Sequence, residues 1–504
     1  MPEAVRSSAR YLDSIQAPRS KGFSQPPDNT AVFSFSEAGI IAALIALATY
    51  LRIHQVGVRS LWGDEAFSAL MAKLPWRDFF RLVRDREVNM TLYYVLLRAW
   101  TAFGNSPAWL RGLSVAAGVA TIPVLYALAR RLFGIRTAAV AALLLSVNAY
   151  HIRYAQEVRS YALTVLFVCL SFLFFVRCVQ RASGWDWIAY GIISALAMYS
   201  HLLAGLVVLP QLCSLLWWPQ AWSARAEIWR GLRLIAYLCV PLGILAIEIG
   251  PAPVASMART DSHMFAEFLR SFCGNDGWAL VAVSLIGIAA SVLVTRHRVQ
   301  VGLVIAWLLL PMLVVIAISL LRPIFSGKYL LFCLPALSLA LACAVVRLPR
   351  WIGFLLVVLL TTLSIRGTLR YYVVDFDLTR EDWQSASKYI ASNVTSTDTL
   401  FFYPGVGVLP YEYYGGPRDN KPAIAYPPLP RDQAYGAFPP MPLAEVFDKR
   451  PNRNSRIWLV LSDSAIPSSA ADFVRHWCRD QHHLASQQRF EHLLVEVYDA
   501  GAPQ

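Results

Sequence analysis

The fold is decided by an apolar segment and by the acidic stretch that follows it. Residues 38–51 read AGIIAALIALATYL, and residues 60–68 read SLWGDEAFS. The apolar segment can span the hydrocarbon core of a bilayer if the long side chain of Arg52 reaches out of it to the interface. Two adjacent carboxylates, Asp64 and Glu65, then follow the segment among aromatic residues. This arrangement is typical of reacting groups held at a membrane surface.

The composition predicts a polytopic α-helical membrane protein. Of the 504 residues 57% are hydrophobic and only 15% are charged, whereas soluble domains carry about 25% charged residues. The formal net charge is +13, but the Lys and Arg residues occur in short clusters between apolar runs. Because that pattern sets membrane orientation, we expect membrane lipids as partners and no nucleic acid.

Hydropathy places about eleven crossings in the chain, within a range of about 11–13 transmembrane helices. The predicted spans lie at residues 38–51, 108–129, 137–150, 160–176, 187–200, 202–218, 232–249, 279–294, 301–320, 329–346 and 351–365. The run 187–218 is too long for one crossing and tight for two. We interpret it as two short helices broken near His201. The shorter run 91–104 predicts a helix at the outer interface.

Basic clusters predict the orientation and the division into regions. Since Lys and Arg favour the cytoplasmic side, the N-terminus falls inside and the C-terminal part outside. Residues 1–36 predict a disordered cytoplasmic tail, and residues 37–371 a transmembrane domain with a first outer loop at 54–107. Residues 372–504 predict an extracytoplasmic α/β domain. Its expected helices lie at 381–391 and 470–479, and its expected strands at 399–403, 456–461 and 493–498.

Several ionisable residues break the positive-inside pattern at outer helix ends. They are Arg153, Glu157, Arg159, His201, Arg322 and Lys328. Ionisable groups at such depth are costly and usually face a protein interior or a water-filled cavity. We expect them to converge with Asp64 and Glu65, since cations stabilise a phosphate leaving group and a carboxylate can take or orient a hydroxyl proton.

Each of these residues also has a purely structural interpretation. Asp64 and Glu65 can be a solvated pair, Glu157 and Arg159 an ion pair that caps a span, and His201 a satisfied core histidine. The residues Arg322, Lys328 and Tyr329 can anchor the chain to outer headgroups. In a further outer loop, Asp261, His263 and Asp276 are interpreted as solvated.

Six motifs, taken in order, resemble those of one glycosyltransferase superfamily. They are Trp62-Gly63-Asp64-Glu65, residues 92–97 (LYYVLL), residues 130–134 (RRLFG), residues 154–161 (YAQEVRSY), Tyr199-Ser200-His201 and residues 328–331 (KYLL). The chain is similar over residues 37–372 to the polytopic GT-C glycosyltransferases. The branch is that of the bacterial mannosyltransferase-like and aminoarabinose-transferase-like proteins.

The resemblance implies a polyprenyl-phosphate sugar donor, used at the outer face of a bacterial inner (plasma) membrane as part of cell-envelope synthesis. It implies that Asp64, with Glu65 as its neighbour, is catalytic and that Arg322 and Lys328 contact the donor phosphate. Glu157, Arg159, Tyr161, His201 and Tyr329 are further candidate substrate-binding residues. Two departures stand out: Lys328 replaces the usual Arg, and the prolines that usually precede the LYY run are absent from Asn89-Met90-Thr91.

The leading hypothesis is a membrane hexosyl- or pentosyltransferase that glycosylates a hydroxyl of a lipid, polysaccharide or protein acceptor. It requires no cofactor, although paired acids leave a divalent metal at Asp64 and Glu65 open. The alternative is a carrier or flippase for lipid-linked saccharides, for which ionisable groups at mid-membrane and repeated halves are typical. A third possibility, transfer of another head group, usually needs a metal cluster and a hydroxyl nucleophile.

Overall fold

The computed structural model describes residues 34–181, 185–249, 261–294, 297–373, 381–415, 422–424, 455–463 and 469–500. Most of the predicted tail at 1–36 therefore lies outside the described residues. The described residues from Ile40 onward form one compact unit.

Helices dominate the first three quarters of the chain. They are α1 Phe35–Ile53, α2 Gly63–Met71, α3 Trp76–Asp85, α4 Thr91–Trp100, α5 Pro107–Phe133, α6 Ile135–Val147, α7 Ala149–Ala155, α8 Tyr161–Arg181, α9 Asp186–Ser200, α10 Val208–Ser214, α11 Pro219–Ser223, α12 Arg225–Ile249, α13 Ser262–Cys273, α14 Trp278–Val294, α15 Arg298–Leu321, α16 Leu334–Arg347 and α17 Arg350–Val373. Short 3₁₀ segments at Val88–Met90, Leu202–Val207 and Gly327–Cys333 connect several of them.

The number of membrane-spanning helices is close to the prediction. Among the described residues, seven helices are long and apolar enough to cross a membrane, or up to nine if each bent pair is one span. The bent pairs are α6 with α7, at 61°, and α13 with α14, at 74°. The two further spans expected within 187–218 are helices of 15 and 7 residues joined by a 3₁₀ segment.

The predicted break near His201 is present and has a clear local cause. His201 is extended, with φ −163° and ψ 124°, and ends α9. Its Nδ1 accepts a hydrogen bond from the Leu203 amide at 3.3 Å, which caps the following 3₁₀ segment. One continuous helix through this run is therefore excluded.

Arg52 does not extend out to an interface, as the sequence suggests, but is fully buried. Its guanidinium donates to the carbonyl oxygens of Leu145 and Ser146 and lies 2.7 Å from Nδ1 of His151. Because α6 ends at Val147, these last-turn carbonyls lack helical partners. The bend between α6 and α7 thus creates the acceptors that hold Arg52 inside.

Asp276 is also not the solvated residue that the sequence predicts. It is buried, and its Oδ1 lies 2.8 Å from Nε of Arg366 in α17. By contrast Asp261 is exposed and caps α13, accepting a hydrogen bond from the Met264 amide at 2.7 Å. His263 is also exposed, so only Asp276 departs from the expectation.

The C-terminal part contains the small sheet that the sequence predicts. Its elements are α18 Trp383–Asn393, β1 Thr399–Tyr403, α19 Val408–Gly415, β2 Ala423–Ile424, β3 Ile457–Ser462, α20 Ser469–Gln481, β4 His482–Phe490 and β5 Leu493–Ala500. The strand order is β2-β1-β3-β5-β4; β1 pairs in parallel with β2 and β3, and β5 pairs antiparallel with β3 and β4. The side chains of β3 are buried throughout, so β3 is the centre of the sheet.

Candidate functional site

Asp64 lies in the first turn of α2, close to two cations. Its side chain is 36% exposed, and its Oδ2 lies 3.8 Å from Nη2 of Arg159 and 3.7 Å from Nζ of Lys328. The helix N-terminus favours a carboxylate at this position. Charge-assisted hydrogen bonds are shorter, about 2.7–2.9 Å, so the two cations flank Asp64 without being locked to it.

Lys328 reaches this position from the 3₁₀ segment that leads into α16. Its ammonium lies 5.4 Å from the centre of the Trp62 ring and 5.7 Å from that of Tyr161. Tyr329 continues the aromatic surface, with its ring 5.0 Å from that of His201 and 6.4 Å from that of Tyr161. The structure therefore brings these predicted residues together beside Asp64.

Arg159 connects Asp64 to a half-buried acid, Glu87, that the sequence analysis missed. Its Nη1 donates to the Tyr94 hydroxyl at 3.2 Å, and that hydroxyl donates to Oε2 of Glu87 at 2.8 Å. Burial raises the pKa of the Glu87 carboxyl, although the Arg159 guanidinium acts against the shift. Tyr94 is the second tyrosine of the LYY run at residues 92–94. Its hydroxyl therefore helps to orient Arg159.

Glu65 is predicted as a second catalytic acid, but the structure places it in a closed ion pair. It is 1% exposed, and its two carboxylate oxygens accept from Nε and Nη2 of Arg111 at 2.8 and 2.6 Å. Oε1 also accepts from the Val158 amide at 2.9 Å. Both carboxylate oxygens of Glu65 are therefore occupied by protein donors, and its side chain is almost fully buried.

Arg111 fixes the loop that precedes Asp64 and was also missed. Besides Glu65, it donates to the backbone carbonyls of Val56, Arg59 and Ser60 at 2.8, 2.9 and 3.0 Å. A single Arg four residues into a predicted span is costly unless paired. The location of Arg111 inside a predicted span could therefore have indicated that it has a buried ion-pair partner.

The expected pair of Glu157 with Arg159 is replaced by two separate pairs. Glu157 lies 3.7 Å from Nε of Arg153, while Arg159 faces Asp64. Glu157 and Arg153 line a small cavity of about 30 Å³ that also includes Trp62. A cavity of this size suits a single water molecule rather than a sugar.

Arg322 is the other predicted phosphate ligand. It is exposed at the end of α15 with an extended backbone, φ −142° and ψ 128°. Within the described part of the chain, no ion pair joins Arg322 to the carboxylate at 64. Of the two basic residues that the sequence grouped as one phosphate site, Lys328 is the one that contacts Asp64 in the described structure.

The turn without prolines is stabilised by side-chain hydrogen bonds. The amide of Leu202 donates to Oδ1 of Asn89 at 2.9 Å, and Nδ2 of Asn89 lies 3.4 Å from the buried His201 ring. The Thr91 hydroxyl donates to the Val88 carbonyl at 2.9 Å. Asn89 thus ties this turn to the break after α9, which is a role that proline cannot fill.

Both adjacent acids, at which the sequence leaves a divalent metal open, have cationic side chains as partners. A hard cation needs several free oxygen ligands, whereas the Glu65 oxygens are taken by Arg111 and Asp64 lies between two cations. Over the described ranges, there is no group of three or more His, Cys, Asp or Glu residues that could hold a metal.

Comparisons with known proteins agree with this architecture. Residues 90–244 match the family model described as dolichyl-phosphate-mannose-protein mannosyltransferase. Apo ArnT from Cupriavidus metallidurans is similar in structure, with a TM-score of 0.60 and 15% identity over 92% of this chain and 98% of that one. The same protein bound to undecaprenyl phosphate matches with a TM-score of 0.60 and 14% identity over 91% and 98%.

A more distant structure also shares the fold. The oligosaccharyltransferase of Archaeoglobus fulgidus, tethered with an acceptor peptide, matches with a TM-score of 0.51 and 10% identity. It covers 94% of this chain and 74% of that one. No curated protein sequence matches the chain. The chain therefore has the same fold as these structures, as the predicted polytopic helical architecture with a small C-terminal sheet implies.

Proposed function

We propose that this protein moves a sugar from a polyprenyl-phosphate-linked donor to an acceptor hydroxyl at the outer face of a bacterial inner membrane. The observation that carries the proposal is the partly exposed carboxylate of Asp64 between Arg159 and Lys328. Two comparisons favour this donor class. One similar structure holds undecaprenyl phosphate, and the matching family model is named for dolichyl-phosphate mannose.

In the proposed reaction, the acceptor oxygen attacks the anomeric carbon of the donor sugar. The bond between that carbon and the phosphate oxygen breaks, and the polyprenyl phosphate leaves with the bonding electron pair. Asp64 orients the acceptor hydroxyl and takes its proton. The negative charge that develops on the phosphate is stabilised by Arg159 and Lys328.

The two cations make different contributions to phosphate binding. Arg159 offers the planar fork that suits two phosphate oxygens, whereas Lys328 offers a compact charge. The bidentate geometry that Lys328 cannot provide is therefore supplied by Arg159. Because neither cation is closely bonded to Asp64, both can turn to the donor phosphate when it arrives.

The remaining predicted site residues receive supporting roles in this proposal. The buried rings of Tyr161 and His201 pack against the half-buried ring of Tyr329, on which the sugar rests. Glu157 holds Arg153 beside the cavity. Arg322, which is exposed at the end of α15, contacts outer lipid headgroups rather than the donor phosphate. Glu65 positions α2 through Arg111.

The test is sugar transfer by the purified protein in detergent. Labelled polyprenyl-phosphate hexoses and pentoses are supplied with a membrane extract that contains lipid, polysaccharide and protein acceptors. Wild type is expected to form a labelled product, and Asp64→Asn to lose at least about 10³-fold in rate. Transfer by Asp64→Asn at the wild-type rate would overturn the assignment.

Asp78 provides a matched control on the same outer loop. Its side chain is 34% exposed and lies 3.7 Å from Nη1 of Arg81, so it resembles Asp64 in exposure and ion pairing. Asp78→Asn is expected to keep the wild-type rate. An equal loss in both variants would mean that the charge of the loop matters, and that Asp64 has no specific role.

A further inference from the structure

The residues just before Asp64 are held by the C-terminal part of the chain. Residues Ser60 to Trp62 have no regular secondary structure, and Leu61 is fully buried. The Leu61 amide donates to the hydroxyl of Tyr414 at 2.8 Å. Tyr414 lies in α19, more than 300 positions further along the sequence.

Two further contacts come from the same part of the chain. The Gln384 amide donates to Oγ of Ser60 at 3.1 Å. Gly63 packs against Val406 so closely that a Cβ at position 63 would lie 2.8 Å from Cγ2 of the valine. Contacts from the C-terminal part thus reach three of the four residues that precede Asp64.

The same stretch is also held by helix α5, through Arg111. Arg111 binds the carbonyls of Arg59 and Ser60 and the carboxylate of Glu65. The residues at the start of α2 are therefore held by two contacts, one with the buried guanidinium of Arg111 and one with α19. The direction in which Asp64 projects depends on both.

We propose that the C-terminal part acts as a clamp that positions Asp64 for transfer, with Tyr414 as its main positioning residue. The clamp rests on the proposed function, because it gives Asp64 its orientation toward the acceptor. Loss of the Tyr414 hydroxyl leaves the buried Leu61 N–H without its acceptor. The chain then gains freedom immediately before the catalytic carboxylate.

The experiment compares Tyr414→Phe with Tyr413→Phe in the full-length protein. Tyr413 is the matched control, since it is the preceding residue of α19 and its hydroxyl donates to the Asn105 carbonyl rather than to residues 60–63. Tyr414→Phe is expected to lower kcat about fivefold, with an unchanged KM for the donor. Hydrogen exchange of the peptide 60–68 should become about fivefold faster. Tyr413→Phe should leave both within about twofold.

A second pair of variants tests the packing contact without removing a hydrogen bond. Gly63→Ala should lower kcat, because Val406 must move to admit the new methyl group. Gly63→Ala combined with Val406→Ala should recover much of the loss. Failure of this rescue would show that the close packing at Gly63 does not position Asp64.

The clamp is overturned if Tyr414→Phe retains both the wild-type kcat and the wild-type exchange of 60–68, or if both tyrosine variants behave alike. If wild type transfers no sugar from any donor, the proposed function fails, and the exchange comparison still decides whether Tyr414 orders the loop. The two failures are therefore distinguishable.

Discussion

Asp64 and Glu65 are adjacent in the sequence and lie in opposite environments. Asp64 is 36% exposed, with its two cations at 3.7 and 3.8 Å. Glu65 is 1% exposed, with the Arg111 nitrogens at 2.6 and 2.8 Å. Successive helical residues point about 100° apart. A shift of one residue therefore leaves the Asp64 carboxylate partly exposed and directs the Glu65 carboxylate into the protein interior.

This difference shows that two acids adjacent in the sequence can have separate roles. The charge of Glu65 is already balanced by a close bidentate partner, so its energetic role is structural. The charge of Asp64 is balanced only at longer range by groups that can also bind phosphate. The first acid is expected to control rate, and the second to control folding.

The largest predicted effect on stability is that of Glu65→Gln. Removing one partner of a buried ion pair leaves the other charge uncompensated and costs about 3–5 kcal/mol. Asp64→Asn should change the free energy of unfolding by less than about 1 kcal/mol, since exposed pairs contribute little. Unfolding in detergent of both variants measures the contrast. Equal stability of the two variants would break the comparison.

The next effect concerns the cations around Asp64. Lys328→Met should lower kcat about 100-fold, because one charge that stabilises the leaving phosphate is lost. Lys328→Arg keeps the charge and adds a fork, so it should stay within about tenfold of wild type. Steady-state transfer rates decide the matter. A similar loss in both variants would indicate that shape at position 328 matters more than charge.

A smaller effect is expected at Asn89, in the turn that lacks the prolines the resemblance leads one to expect. Asn89→Ala leaves the Leu202 amide without its side-chain acceptor and should cost about 1–2 kcal/mol of stability. Asn105→Ala is the control, since the side chain at 105 is exposed and surface changes usually stay within about 0.5 kcal/mol. Equal free energies of unfolding for the two variants would show that the Asn89 side chain does not stabilise this turn.

The smallest effect is a pH dependence that comes from Glu87. Burial raises the pKa of this carboxyl above its ordinary value of 4.5. Below pH 4.5 the Glu87 carboxyl is protonated in both the folded and the unfolded state. Its contribution to the free energy of unfolding is then fully present. As the pH rises through the raised pKa, that contribution is lost. The unfolding temperature of wild type should therefore fall more steeply across this window than that of Glu87→Gln, a variant that keeps Glu381 with its raised pKa.

The sequence predicted those elements whose pattern is local. Strand β1 begins and ends where alternation and β-branched or aromatic residues place it, and the break at His201 follows from the length of one apolar run. Strand β4 was missed because its residues are mostly polar and exposed. It is an edge strand without the buried side that alternation would reveal.

The candidate site was predictable as a set of residues, but its pairing was not. On sequence alone, the order of the motifs and the predicted topology placed Asp64, Arg159, His201 and Lys328 in one site. The partners Arg111 and Glu87 were missed, since which acid meets which base is decided by helix rotation and tertiary contacts. Arg52 shows the same limit, because its acceptors exist only where α6 bends into α7.

The most direct test of the divided roles is kcat per folded molecule for Asp64→Asn and Glu65→Gln, measured on the same preparations as their unfolding. Asp64→Asn is expected to lose at least about 10³-fold in kcat with wild-type stability. Glu65→Gln is expected to stay within about tenfold of wild type after correction for its folded fraction. Wild-type turnover in Asp64→Asn, or an equal loss of turnover in both variants, would contradict the assignment of catalysis to Asp64.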